Sequence, residues 1–107
     1  MHDNDGKIKQ LAVYVQKNPN DSFSKFALAL ELMKRNEVSK SRVLFESILK
    51  QDPDYLGVYY HLGRLYEILD QKDQALSLYR KGVELARSQN NQRTETELKD
   101  AIELLTF

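Results

Sequence analysis

The two histidines are the side chains of this chain best suited to acid–base or metal chemistry near neutral pH. His2 stands in the polar start of the sequence, and His61 has a carboxylate, Glu67, six residues further on. Six residues do not bring two side chains to one face of a helix, so the pair lacks the spacing of metal ligands. The chain also has no cysteine, which excludes a thiolate zinc site. We therefore expect no metal and no cofactor.

Nucleophilic catalysis has no better candidates. A serine or tyrosine nucleophile needs a base within hydrogen-bond reach, whereas Ser77 falls within a helical pattern and no glycine-rich phosphate loop is present. The acidic residues near the end of the chain, such as Glu97 and Glu103, fit a solvated helix face with carboxylates close to a helix N-terminus. The sequence predicts a protein that is not an enzyme.

Composition narrows the classes of partner. A length of 107 residues suffices for one domain with its own core. Sixteen basic and 16 acidic side chains give a net charge of zero, which disfavours nucleic acid and anionic membranes as partners. The first ten residues, MHDNDGKIKQ, lack the apolar core of a signal peptide, and no apolar run approaches the roughly 20 residues of a membrane span. A cytoplasmic protein is expected.

Apolar residues recur at helical spacing along almost the whole chain, and the alternation typical of strands is missing. Pro19 and Pro53 mark helix ends, because the residue before a proline avoids the helical region. Six helices are predicted, over about 6–17, 22–35, 38–51, 55–69, 72–88 and 94–105. The predicted N-caps are Asp21 or Ser22 for the second helix, Asp54 for the fourth and Thr94 for the sixth.

The helix ends and turns repeat along the chain. The interval from Pro19 to Pro53 equals the interval from Asn36 to Asp70 in the short turns. This interval, roughly 34 residues, is a period typical of a helix-turn-helix repeat, in which stacked neighbours bury each other's apolar faces. The same shift aligns residues of similar size: Phe26 with Tyr60, Leu28 with Leu62, Ala29 with Gly63, Ser41 with Ala75, Leu44 with Leu78, and Phe45 with Tyr79.

This pattern resembles the tetratricopeptide repeat. Residues 56–89 carry its aromatic, leucine, glycine, tyrosine and small-residue positions, with Arg87 in place of the closing proline. Residues 22–55 match less fully, since Lys25 replaces the aromatic. The residues that carry the match in 56–89 are Tyr59, Leu62, Gly63, Tyr66, Ala75, Tyr79 and Gly82.

The resemblance implies an all-α fold, a right-handed α-solenoid of two helix pairs. The pairs would occupy residues 22–55 and 56–89 of a single domain, 1–107. Residues 1–21 and 90–107 would supply N- and C-terminal capping helices, because the outer repeats of a solenoid need their apolar faces covered.

The resemblance also implies where a protein or peptide partner binds. In the family, the first helices of successive repeats line a concave groove. Some members hold a peptide's C-terminal carboxylate there with lysine, arginine and asparagine, but Phe26 and Leu30 stand where lysine and asparagine are expected. An apolar or amphipathic helical segment fits better. The predicted contact residues are Phe23, Phe26, Leu30 and Met33 on the second helix, and Tyr60, His61, Arg64 and Glu67 on the fourth.

Other readings of these residues stay open. The Phe and Met side chains could pack within the molecule, and Arg64 with Glu67 could be a solvent-exposed pair. We predict an interaction module that binds a protein or peptide; the alternative is a structural protein that forms homodimers through the groove or the end helices. An enzyme or cofactor carrier is the third class. Leu98, Ile102, Leu105 and Phe107 could serve as cap or as dimer face.

Gly63 interrupts a strong helical pattern, where glycine costs about 1 kcal/mol relative to alanine. We expect it to let Tyr79 approach the backbone of the fourth helix. On this interpretation Gly63→Leu destabilises the fold, whereas Gly63→Ala is mild or even favourable.

Overall fold

The computed structural model describes residues 3–107, with side chains from Gly6 onward; His2 lies outside these residues. Within them the chain is all-α, as predicted, with no strand. The predicted helix ends agree with the observed ones to within three residues. The helices are α1 (Asp3–Lys17), α2 (Ser22–Lys34), α3 (Val38–Gln51), α4 (Gly57–Ile68), α5 (Lys72–Ser88) and α6 (Gln92–Thr106).

Two of the three predicted N-caps are wrong. Asp21 caps α2 as predicted, since its carboxylate accepts from the Ser24 N–H at 3.2 Å. Asp54 does not cap α4, because the helix begins later and Leu56 precedes it without a side-chain cap. Thr94 does not cap α6 either. Asn91 starts that helix, and its side-chain oxygen accepts from the Thr94 N–H at 3.0 Å, a role in which asparagine equals threonine or better.

Three helices end in the same way. The residue after the C-cap of α2, α4 and α5 has a positive φ: 60° at Asn36, 60° at Asp70 and 57° at Asn90. In each case the next N–H reaches back to a carbonyl of the last helical turn, as from Glu37 to Leu32 at 2.9 Å. These Schellman caps use asparagine and aspartate, the residues after glycine that best tolerate this conformation. The turns predicted at Asn36 and Asp70 are confirmed.

The chain divides into two compact units, which are described separately. The first unit extends to Pro53 and holds α1, α2 and α3, with α2 packed against both of the others. Its core includes Ala29, Phe45 and Ile48, all fully buried. Lys25, which replaces the aromatic residue of the repeat, is also buried. Its ammonium group donates to α3, at 2.9 Å to Ser47 and 2.8 Å to Gln51.

The second unit, Asp54–Phe107, has α5 between α4 and α6. Gly82 of α5 lies at the centre of this packing, because a Cβ there would be 2.9 Å from both Tyr59 of α4 and Leu98 of α6. Non-bonded carbon atoms do not approach a Cβ this closely, so the positions of both neighbours depend on the missing side chain. Of the four residues predicted to serve as cap or as dimer face, Leu98 is accordingly buried in α6 beside Ala101, Ile102 and Leu105 are partly buried, and Phe107 is exposed.

Gly63 of α4 meets α5 in the same way, and the expectation for alanine there is wrong. A Cβ at Gly63 would lie 2.8 Å from Cδ1 and 2.9 Å from Cζ of the Tyr79 ring. Tyr79 is fully buried, so its ring has no free space into which it can move. Alanine at position 63 must therefore be destabilising, because the clash outweighs its better helix propensity.

The proline that ends α3 has no counterpart in α5. The two helices begin one repeat period apart, at Val38 and Lys72, but α3 stops at Gln51, whereas α5 continues past the equivalent residue, Leu85, to Ser88. Pro53 corresponds to Arg87, which has an N–H and stays helical. The departure from the repeat at Arg87 thus marks the place where the two helices differ in length.

Candidate functional site

The four predicted contact residues of α4 lie along one side of that helix. Val58, Leu62 and Leu65 are fully buried on its packing side. The helical period therefore turns the predicted residues outward. Arg64 is exposed, and Tyr60, His61 and Glu67 are partly exposed.

Tyr79 of α5 contacts two residues of this stripe, Glu67 and Tyr60. Its hydroxyl donates a hydrogen bond to the Glu67 carboxylate, and its ring centroid lies 6.3 Å from that of Tyr60. Burial, reinforced by the Glu67 hydrogen bond and charge, raises the pKa of Tyr79 far above the ordinary value of tyrosine. The phenol therefore keeps its proton and donates it in the hydrogen bond to the Glu67 carboxylate.

Tyr60 lies at the centre of the exposed part of the stripe. The His61 ring meets its ring edge to face, with centroids 5.4 Å apart at 89°. The Arg64 guanidinium approaches the Tyr60 hydroxyl at 3.5 Å, the long limit of a hydrogen bond. An aromatic ring with one polar end and a neighbouring cation can contact apolar and anionic groups of a partner at once.

His61 is affected by Glu97 of α6, a residue that was not among the predicted contact residues. Burial lowers the pKa of His61 below its ordinary value; the Glu97 carboxylate of α6 opposes this shift and Arg64 adds to it. The imidazole is therefore mainly neutral at pH 7 and able both to donate and to accept a hydrogen bond. The acidic run of α6 has the pattern of a solvated helix face, so sequence spacing offers no signal for this approach.

The predicted stripe on α2 is apolar, and its four residues differ in exposure. Phe23 is 71% exposed. Phe26 is partly buried because its ring packs on Phe45 of α3, with centroids 5.8 Å apart at 60°. Leu30 and Met33 are also partly buried. Packing within the molecule thus explains the partial burial of Phe26, whereas the exposed ring of Phe23 can contact a partner.

A second apolar surface of the first unit was not predicted. α1, α2 and α3 border a cleft of about 390 Å³ whose walls are almost wholly apolar, with Lys40 at its rim. The helical pattern of each helix explains its apolar residues as core, so the sequence did not indicate an opening between them. The lining residues are Ile8, Ala12, Leu28, Leu32, Lys40, Val43 and Leu44.

The described residues do not assemble a metal site or a membrane span. Among residues 3–107 no three histidine, aspartate or glutamate side chains come close enough to hold an ion. None of the helices in that range is both long and apolar enough to cross a bilayer. The two stripes offer aromatic, aliphatic and guanidinium groups, which can make non-covalent contacts with a partner.

Known proteins resemble the chain in sequence and in structure. A family model described as tetratricopeptide repeat matches residues 56–89. The tetratricopeptide repeat domain protein from Salinibacter ruber, solved by NMR, is 45% identical, with 81% of this chain and 88% of that one covered at a TM-score of 0.77. The chain belongs to the tetratricopeptide-repeat family. The all-α helical-repeat fold class predicted from the sequence is thereby confirmed.

Two further TPR proteins extend the comparison. A TPR repeat-containing protein of Methanocaldococcus jannaschii is 33% identical over 82 residues, which are 73% of this chain but 26% of that protein. The TPR2B domain of yeast Sti1, solved in a complex with pHsp70, has a TM-score of 0.88 at 14% identity, covering 97% of this chain and 83% of that one. At that identity the likeness shows the fold alone. The chain spans about a quarter of the Methanocaldococcus jannaschii relative.

The TPR fold commonly serves as a protein–protein interaction module, and TPR domains bind protein or peptide partners. Members are generally non-catalytic. The domain limits predicted above, the right-handed superhelix and the eight contact residues stay predictions.

Proposed function

We propose that the chain is a non-catalytic interaction module whose partner binds the exposed stripe of α4, and that the apolar stripe of α2 is a contact surface in its own right. The observation that carries this proposal is the position of Tyr60. It is partly exposed between His61 and Arg64, on a helix whose opposite side is fully buried. Tyrosine and arginine are the residues most enriched among those that dominate binding energy, together with tryptophan.

The partner is a peptide or helix of mainly apolar character. Phe23, Phe26, Leu30 and Met33 provide no charge on α2, so an apolar face of the partner fits there. On α4, Arg64 is the exposed cation, whereas Glu67 accepts from Tyr79 and acts by orienting the stripe. An apolar face fits the α2 stripe, and an apolar face with an acidic residue near it fits the α4 stripe.

Peptides selected from a library of amphipathic helices test this proposal, with affinities measured by fluorescence anisotropy. Tyr60→Ala is expected to weaken binding by at least about tenfold, which corresponds to about 1.4 kcal/mol. Phe23→Ala should weaken it as well. The control is Arg80→Ala, which removes an exposed arginine of α5 outside the stripes and should leave affinity unchanged.

The pattern of losses distinguishes two binding modes. If only Arg64→Ala weakens binding, the partner is an anionic peptide and the apolar mode is wrong. If Tyr60→Ala, Arg64→Ala and Phe23→Ala all bind like the wild type, the stripes are not the binding surface.

A further inference from the structure

α1 exposes a face that is apolar at its centre and basic at both ends. Val13 and Tyr14 are 50% and 48% exposed, and they lie on one side of the helix with Lys9, Gln10 and Lys17. Neither lysine forms an ion pair within the described part of the chain. Half-exposed valine and tyrosine between two available cations form a surface on which an acidic amphipathic helix can pack.

The phase of the repeat shows which kind of element normally covers this face. Tyr14, Ile48 and Gly82 follow one another at intervals of one repeat period, and they occupy equivalent places in α1, α3 and α5. Ile48 is fully buried, and Gly82 lies against Tyr59 of α4, the first helix of its pair. α1 thus corresponds to the second helix of a pair, and within residues 3–107 no first helix covers its Tyr14 face.

α6 has the complementary properties. It follows α5 in the chain as the first helix of a pair would, and it packs on α5 through Leu98 and Ala101. On another side Leu104 is 79% exposed and Phe107 is fully exposed. Asp100 and Glu103 share this side at helical spacing, and neither carboxylate forms an ion pair among the described residues.

We propose that the Tyr14 face of α1 in one copy docks against the Leu104 face of α6 in a second copy, head to tail. Valine and tyrosine then meet leucine and phenylalanine, while Lys9 and Lys17 meet Asp100 and Glu103. The charges are opposite, and the helix types are those that pair within a repeat. The contact is heterologous, because the two faces belong to different helices of the chain. It uses neither stripe of the proposed partner site.

Sedimentation of the protein over a concentration series, at low and high salt, tests this proposal. We expect the average mass to rise above that of one chain as the concentration increases, and to fall as salt screens the opposite charges. Two charge-reversed proteins, Lys9→Glu with Lys17→Glu and Asp100→Lys with Glu103→Lys, should each associate at least about tenfold more weakly. Mixed in equal amounts, they should associate again, because each then presents the charge that the other lacks.

The reversal Lys72→Glu with Lys81→Glu on α5 is the matched control, since both lysines are exposed and neither lies on the proposed faces. It should associate like the wild type. Tyr14→Ser tests the apolar part and should weaken association while the salt dependence persists. The proposal is overturned by a monomer at all concentrations, or by reversed proteins that fail to recover in the mixture.

Discussion

At the residue scale, the two buried glycines of the second unit show how one helix dictates the side chains of another. Gly63 leaves room for the ring of Tyr79, and Gly82 leaves room for Tyr59 and Leu98. The sequence predicted the contact between Gly63 and Tyr79, but it did not predict how short the distances there are. A helical pattern reports that a position faces a neighbour, whereas the space left there depends on the rotamer of a ring on the next helix.

Gly63→Ala is therefore expected to lower the free energy of unfolding by about 1–3 kcal/mol, and Gly63→Leu by more, because both overpack the contact with Tyr79. Urea denaturation followed by circular dichroism measures the change. Gly6→Ala is the matched control, since a Cβ at that helical position would meet no atom within 4 Å apart from its chain neighbours and the backbone of its own helix. It should be neutral or slightly stabilising, by up to about 1 kcal/mol. Wild-type stability for Gly63→Ala would contradict the observed packing.

At the scale of the element, the end of α5 differs from that of α3 because arginine replaces proline. The additional turn carries the Schellman cap at Asn90, whose neighbour Asn91 donates to the Ala86 carbonyl at 2.9 Å and caps α6. Arg87 also pairs with Glu95 of α6 at 2.9 Å. The residue one repeat period after Leu62 is Thr96, but the longer α5 moves the buried leucine of α6 to position 98. This shift explains why α6 does not read as a third repeat.

Arg87→Pro should destabilise the second unit, although it restores the proline of the repeat. Proline removes an N–H and clashes with the preceding turn, so α5 must end earlier and the Asn90 cap is lost; we expect a cost of about 3 kcal/mol. Thermal and urea unfolding measure it. Arg87→Ala is the control, because it removes the exposed ion pairs and leaves the backbone helical, and its effect should be smaller. Equal stability of the two variants would show that the longer α5 is dispensable.

At the scale of the whole molecule, burial is unevenly distributed along the chain. From Gly6 onward α1 has no buried residue, whereas α4 and α5 place Leu62, Leu65 and Tyr79 in fully buried positions. α1 is held through partly buried apolar residues and through the Glu31 carboxylate of α2, which Lys7 approaches at 3.3 Å. Opening a helix costs free energy in proportion to the apolar surface that it exposes.

Hydrogen exchange should accordingly be fastest in α1 and slowest in α4 and α5. Mass spectrometry of the exchanged protein at neutral pH gives protection for each segment. α6, with Leu98 and Ala101 buried, should fall between these limits. Protection in α1 equal to that in α5 would mean that its contacts are stronger than its burial indicates.

Much of the candidate site could be predicted from sequence, because its residues on each helix share one face. The period of α4 places Tyr60, Arg64 and Glu67 together once the buried face is known. Glu97 could not be placed, since its approach to His61 depends on how α6 packs against α5. The hydrogen bond from Tyr79 to Glu67 could not be predicted either, because it depends on how α5 packs against α4.

The sequence by itself determined the helices, the turns at Asn36 and Asp70, and the phase of the repeat, because these follow from local backbone preference and apolar periodicity. Only the tertiary structure decided which caps form, how far α5 extends, and how tightly Tyr79 meets Gly63. Those outcomes depend on atoms that are distant in the chain but close in space. The exposure of Tyr14 is of the same kind: its place in the repeat is a property of the sequence, and whether a helix covers it is a property of the fold.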